Sequence, residues 1–340
     1  MTFDSPLNSL RGKKVRTAFQ LLGVMLFAVI LARVDLAGVL RCFGYFDLVD
    51  GLIILAVLIS FTFVKSMRWR MLVGGQGLEV PRLRAFSIYS AGLYLGIVTP
   101  GRVGDFIKSL YLLNRGYSAG RSIFSSLVDR MLDLVFLVAI GYSSLLFFPG
   151  IFRNQYLFST LILALTAAAA VLVFWRRDLL SKGAKRFTSI VFPSRIVDKT
   201  DQAITDMLGE FGTLSPASIA GILLLTLAGW MLHFLTFFYF ARILSIDISL
   251  PLLIASVSAA IFTALLPISL LGLGTRELVL IVIFGGIGLS REEAVAFSFS
   301  FILVYIIQSV IGMICWLTGP FHSEDLSRIR QKRDGAFPDE

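Results

Sequence analysis

Long apolar runs decide what this chain can become. They fall at 17–32, 51–64, 122–148, 155–175, 217–241, 251–271 and 294–318. Runs of about 20 residues or more can each cross a bilayer core of about 30 Å as a helix. The chain of 340 residues is 56% hydrophobic and 16% charged, where soluble domains carry about a quarter charged residues. A backbone in lipid must pair its polar groups within its own segment, which favours helices over open sheets. The expectation is an all-α, polytopic membrane protein.

The net charge of +9 follows the same plan. Basic residues cluster between the runs: Arg11, Lys13, Lys14 and Arg16; Lys65, Arg68, Arg70, Arg82 and Arg84; Arg176, Arg177, Lys182, Lys185 and Arg186; Arg328, Arg330, Lys332 and Arg333. Cytoplasmic loops carry such an excess. No basic stretch forms a soluble domain of its own, which argues against a nucleic-acid partner. Cys42 and Cys315 lie far apart, without metal or disulfide spacing.

Threaded on these charges, residues 1–16 form a cytoplasmic N-terminus and 17–320 one membrane domain. Span one covers about 17–34 and is read as an uncleaved helix rather than a signal peptide. In 35–50, Leu36, Val39, Leu40 and Phe43 share one helical face and suggest a helix on the outer surface. Span two (51–66) returns to a basic loop at 65–84. Then VTPGRVGDFIKS (98–109 in the segment 86–114) breaks an apolar stretch at Pro100, Gly101 and Gly104. One crossing by 86–114 would invert every later basic cluster, so the segment is expected to be a re-entrant hairpin. Spans three (122–148), four (155–175) and five (217–241) follow, with a basic loop at 176–215. A second hairpin at 251–288 breaks at Pro267, Gly272 and Gly274, and span six (294–318) leads to a cytoplasmic tail at 321–340. The total is about six full transmembrane helices plus two re-entrant hairpins, with both termini inside.

The hairpins are related by a fixed offset. Asp105 and Glu277 are 277 − 105 = 172 apart, as are Ser126 and Ser298, and Gly116-Tyr117-Ser118 matches Gly288-Leu289-Ser290. One hairpin enters from each side, so the expected architecture is an inverted repeat, which transporters use to build one site with two faces.

Charge inside the spans is the sharpest functional signal, because a lone intramembrane ion costs about 2.5–3.5 kcal/mol even on lenient scales. At 1.5 Å per residue, Asp129 lies about 10 Å and Asp133 about 17 Å in from Ser122. Arg130 is three residues from Asp133 and is expected to pair with it. The offset of 172 sets Tyr305 against Asp133, with Gln308 one turn on. Two readings stand: an ion pair that only holds the span against the hairpin, or a polar site. In the second, Arg102, Arg130, Arg276, Tyr305 and Gln308 bind an anionic headgroup beside half-helix N-termini. Asp105, Asp129, Asp133 and Glu277 then position the arginines or relay charge. His233 reads as a core or interfacial histidine. Ile204, Met207, Leu208 and Phe211 suggest an amphipathic surface helix. No metal spacing, phosphate loop or nucleophile–base pair is evident, and no cofactor is implied.

The stretches TPGRVGDFIKSLYL, SAGRSIFSSLVDRMLDL and LLPISLLGLGTRELVLIVIFGGIGLSREEA resemble the lysylphosphatidylglycerol synthase transmembrane family, also called flippase-like membrane proteins. The resemblance covers about 15–320. It implies a cytoplasmic-membrane protein that moves lipids or lipid-linked headgroups between leaflets. Larger relatives add a soluble aminoacyl-transferase domain. Here residues 321–340 follow the last span, so enzyme activity is not expected. The alternatives are a scaffold subunit for a lipid-modifying or glycosyl-transferring partner enzyme, and an intramembrane transferase.

Overall fold

Asp47 begins the first described helix, α1 (Leu48–Gly75), through a reciprocal cap. Its Oδ1 accepts the Asp50 N–H at 2.7 Å while Asp50 Oδ2 accepts the Asp47 N–H at 3.2 Å, pairing donors that a helix start leaves open. The computed structural model describes residues 47–113, 117–146, 209, 214–265, 272 and 274–318. Among them are seven further α-helices and no strand: α2 (Arg82–Val98), α3 (Ile107–Leu113), α4 (Ala119–Leu146), α5 (Pro216–Ile243), α6 (Leu250–Leu265), α7 (Thr275–Gly285) and α8 (Arg291–Thr318). A 3-10 segment, Pro100–Phe106, joins α2 to α3.

Three of these helices, α1, α5 and α8, are long and apolar enough to cross a membrane. The fourth helix of 28 residues, α4, matches them in length but carries Asp129, Arg130 and Asp133. The chain is a multi-pass helical membrane protein. Expected span one, most of 35–50, span four, the loop 176–200, all but Gly209 of 204–211, the tail and Pro267 lie outside the described residues.

Expected span two, which is α1, differs from expectation. It continues through Gly75, where a basic loop was expected from Lys65. Lys65 and Arg68 are 3% and 0% exposed. Their face of α1 meets carboxylates on α4, so burial costs less there than it would against lipid.

At the first break, Pro100 offers no N–H to continue α2. The Thr99 hydroxyl donates to the Leu95 carbonyl at 2.6 Å and accepts the Gly104 N–H at 2.8 Å. The 3-10 segment thereby folds back onto α2. A Cβ on Gly104 would lie 2.2 Å from the Leu95 carbonyl carbon, and one on Gly96 would lie 2.6 Å from Asp105 Oδ1. Two glycines permit this contact, and Arg102 takes a left-handed φ of 56° inside the turn.

The helix directions are set by side chains along their lengths. α1 and α5 are antiparallel: Tyr239 donates to Asp50 at 2.6 Å at one end, and Gly75 abuts Leu214 at the other. α8 runs antiparallel to α2, with Gly312 against Ser90 and Tyr94 and Tyr305 against Arg102. Gln76 Nε2 donates to the Arg121 carbonyl at 2.9 Å, so α1 ends beside the start of α4. Packing is reciprocal: α2 lies chiefly on α8, α6 lies on α4, and α1 lies on α5.

Candidate functional site

On α4, Ser126, Asp129 and Asp133 occupy one face at steps of three and four, the spacing that places helical side chains in a row. Across from them stand the α1 cations. Asp129 Oδ1 accepts Arg68 Nε at 2.9 Å and Nη2 at 2.6 Å, and its carbonyl accepts Nη2 at 3.0 Å. Lys108 Nζ donates to Asp129 Oδ2 at 2.8 Å, joined by the Tyr89 hydroxyl at 3.3 Å. Asp133 Oδ1 accepts Arg68 Nη1 at 2.7 Å and also Lys65 Nζ. Lys65 lies 5.0 Å from the Trp230 ring centroid, and Lys108 lies 4.3 Å from that of Tyr89. Every oxygen of Asp129 thus has a donor, as a dry interior requires. This network is an internal brace.

Arg130 does not pair with Asp133. It reaches the hairpin instead, with Nη2 2.8 Å from Asp105 Oδ1. Helical spacing puts 130 and 133 within reach, but α1 supplies nearer cations to Asp133 and the 3-10 segment supplies a nearer carboxylate to Arg130. Ser109 Oγ donates to Ser126 Oγ at 2.9 Å and fixes α3 to the same helix.

The second break closes in its own way. Arg276, fully buried, donates from Nε to Ser298 Oγ at 2.9 Å and from Nη2 to Glu277 Oε1 at 3.0 Å. Ser298 Oγ also contacts Glu277 Oε1, and Glu277 Oε2 accepts the Gly274 N–H at the start of α7. One backbone donor at each break is therefore taken within the chain, the Gly104 N–H by Thr99 and the Gly274 N–H by Glu277.

Arg102 differs from the other intramembrane cations. It is half-buried, and its guanidinium lies 6.0 Å from the Tyr305 ring centroid and makes no hydrogen bond or ion pair among the described residues. Gln308, one turn along α8, is buried with Nε2 lacking an acceptor. On α8 the residues Ser298, Phe301, Tyr305 and Gln308 form a row at the spacing of the α4 row, with Arg276 5.0 Å from the Phe301 ring.

Of the expected headgroup residues, Arg102 and Tyr305 come together, with Gln308 one turn further along α8. Arg130 joins Asp105, Arg276 meets Ser298 and Phe301, and Asp129 and Asp133 are held by α1. His233 packs between the rings of Phe61, Trp230 and Phe237 at 5.1, 5.7 and 5.1 Å, as a core histidine does. Sequence reasoning missed Lys65, Arg68 and Lys108. A signal existed: Phe61, Lys65, Arg68 and Leu72 keep helical spacing, and Met67, Trp69, Met71 and Val73 continue the apolar character beyond 66.

The family described as Lysylphosphatidylglycerol synthase TM region matches residues 18–312. No curated protein and no solved structure matches the chain.

Proposed function

The chain belongs to the Lysylphosphatidylglycerol synthase TM region family, and on that premise we propose that it translocates a lipid with an anionic headgroup between leaflets of the cytoplasmic membrane. The observation that carries this reading is Arg102. A half-buried guanidinium without a hydrogen bond or ion pair among the described residues, over the Tyr305 ring, suits a ligand that brings acceptors, as does the Gln308 Nε2 one turn further along α8. Arginine matches phosphate and carboxylate oxygens with a planar fork of donors.

The hairpins act as re-entrant elements of an inverted repeat in this reading. Helix α2 runs 17 residues inward, about 25 Å, and the 7-residue 3-10 segment with the 7-residue α3 covers about 24 Å back. The Gln76–Arg121 hydrogen bond supports both hairpin ends lying at one end of the bundle. The directions of α5 and α8 support the second hairpin starting and finishing at the other. The exchange of partners between halves, α2 on α8 and α6 on α4, suits two repeats that rock against each other. The lipid tails stay in the bilayer while the headgroup passes between the hairpins, and both termini face the cytoplasm.

The test is a leaflet-resolved assay in proteoliposomes with fluorescent phosphatidylglycerol, fluorescent phosphatidylcholine and a polyprenyl phosphate. The expected result is exchange of the anionic lipids that Arg102→Ala abolishes while the protein remains folded. The brace formed by Arg68, Asp129 and Lys108 favours a second reading, a scaffold for a membrane enzyme, because a fully paired core can serve rigidity alone. No exchange of any lipid by the wild type would select it.

A further inference from the structure

The two arginines of the hairpin breaks share one helix face. Arg276 is bound at Ser298 and lies over Phe301, while Arg102 lies over Tyr305. Ser298 and Tyr305 are two turns apart on α8, about 10 Å along its axis. Each position has a donor without an acceptor among the described residues: Gln308 Nε2, one turn along α8 from Tyr305, and Nη1 of Arg276 itself. Such positions suit an acceptor-only group of the phosphate type, since every unfilled atom named is a donor.

Their exposure differs. Arg102 is half-buried and Tyr305 is 8% exposed, whereas Arg276 and Ser298 are wholly enclosed. Between the two lies the ring of Phe301, 1% exposed. It packs 4.0 Å from Phe237 of α5 and 6.0 Å from Phe297, centroid to centroid. On the α4 row the equivalent position is Asp129, at the offset of 172. There a charge network fills the space, so the α8 face is the half whose row is filled by neutral side chains.

We propose that Phe301 is the gate between two headgroup stations on α8, one at Arg102 and one at Arg276, and that a phosphate-type headgroup passes only when its ring leaves Phe237. This rests on the translocator reading and adds its barrier. In the present conformation the Arg102 station is reachable and the Arg276 station is shut. A displaced ring would open a route of one aromatic layer without disturbing the Arg68 brace.

The experiment uses the full chain with Cys42 and Cys315 replaced by Ser, and Ser298→Cys as reporter. Labelling by a membrane-impermeant maleimide, added from each side in turn, is measured with Phe301 present and in Phe301→Ala, Phe301→Leu and Phe301→Trp. Exchange of fluorescent phosphatidylglycerol is measured in the same vesicles without the reporter. With the ring removed, labelling from the side that reaches Arg102 is expected to rise at least about tenfold, because opening of the dry layer limits the rate. Exchange is expected to rise in Phe301→Leu and fall in Phe301→Trp. Phe301→Leu keeps most of the volume, so the outcome does not depend on Phe301→Ala folding well. Wild-type exchange with labelling and exchange both unchanged across the folded variants overturns the gate alone. Absence of exchange in the wild type overturns the translocator reading and the gate with it.

Discussion

Arg130 and Asp105 meet at 2.8 Å, yet neither oxygen of the Asp105 carboxylate receives an aligned hydrogen bond. The contact is one of charge alone, made across the gap between α4 and the first break. Asp105 is 2% exposed, while the Arg130 side chain keeps 23% of its surface open.

Removing one partner should therefore hurt more than removing both. Asp105→Asn is expected to cost about 3–5 kcal/mol at most, the usual range for stranding a buried partner, with the open part of Arg130 reducing it. Asp105→Leu with Arg130→Met should recover much of that loss. Thermal midpoints of the purified protein in detergent check this. A double variant no better than the single would show that no stranded charge was at issue.

The two glycines of the first turn should respond unequally. A Cβ at Gly104 meets the Leu95 main chain at 2.2 Å, which can yield only if the turn opens. A Cβ at Gly96 meets the end of the Asp105 side chain, which can rotate away. Gly104→Ala is expected to abolish a monodisperse peak in size-exclusion chromatography. Gly96→Ala should stay folded with a lowered thermal midpoint, since its cost is loss of the Arg130 contact.

Arg68 is the hub of the α1–α4 brace, donating to both Asp129 and Asp133 from a wholly buried position. Arg68→Ala is expected to cost about 3–5 kcal/mol. Arg68→Lys should recover little of it, because an ammonium cannot serve both carboxylates in a planar fork. Lys65→Met should be milder, as Asp133 keeps Arg68. Unfolding in denaturant, compared across the three, reads the order directly.

The re-entrant course proposed for 86–114 has a topological test. Single cysteines at Leu83 and Ser118, both exposed, should label from the same side of sealed vesicles. Labelling from opposite sides would mean that 86–114 crosses the membrane once.

Much of the fold is legible in the amino-acid sequence, for physical reasons that also mark where legibility stops. Spans at 122–148, 217–241 and 294–318 correspond to α4, α5 and α8 because hydrophobic length is a local property. The break at Pro100 is local too, since proline removes a donor wherever it stands. The end of α1 is not, because Lys65 and Arg68 look like loop residues until the carboxylates of α4 are placed across from them. The same holds within the site. Helix spacing allowed Arg130 to reach Asp133, but partner choice depends on which helices lie side by side. The offset links Glu277 with Asp105 and Ser298 with Ser126, but the linked residues take different partners: Ser298 binds the Arg276–Glu277 pair, whereas Ser126 binds Ser109 and Asp105 turns to Arg130.

The crossing of α2 with α8 has a consequence for biosynthesis. Gly312 fits so closely against α2 that a Cβ there would lie 2.3 Å from the Ser90 carbonyl oxygen. Residues 82–113 leave the ribosome long before Arg291–Thr318, the helix that covers α2, has been made. Until α8 arrives, the covered face of α2 and the small residues around Ser90 have no final neighbour. The nascent segment must wait at the translocon or against temporary lipid contacts, and a helix synthesised about 200 residues later is the one that packs over it.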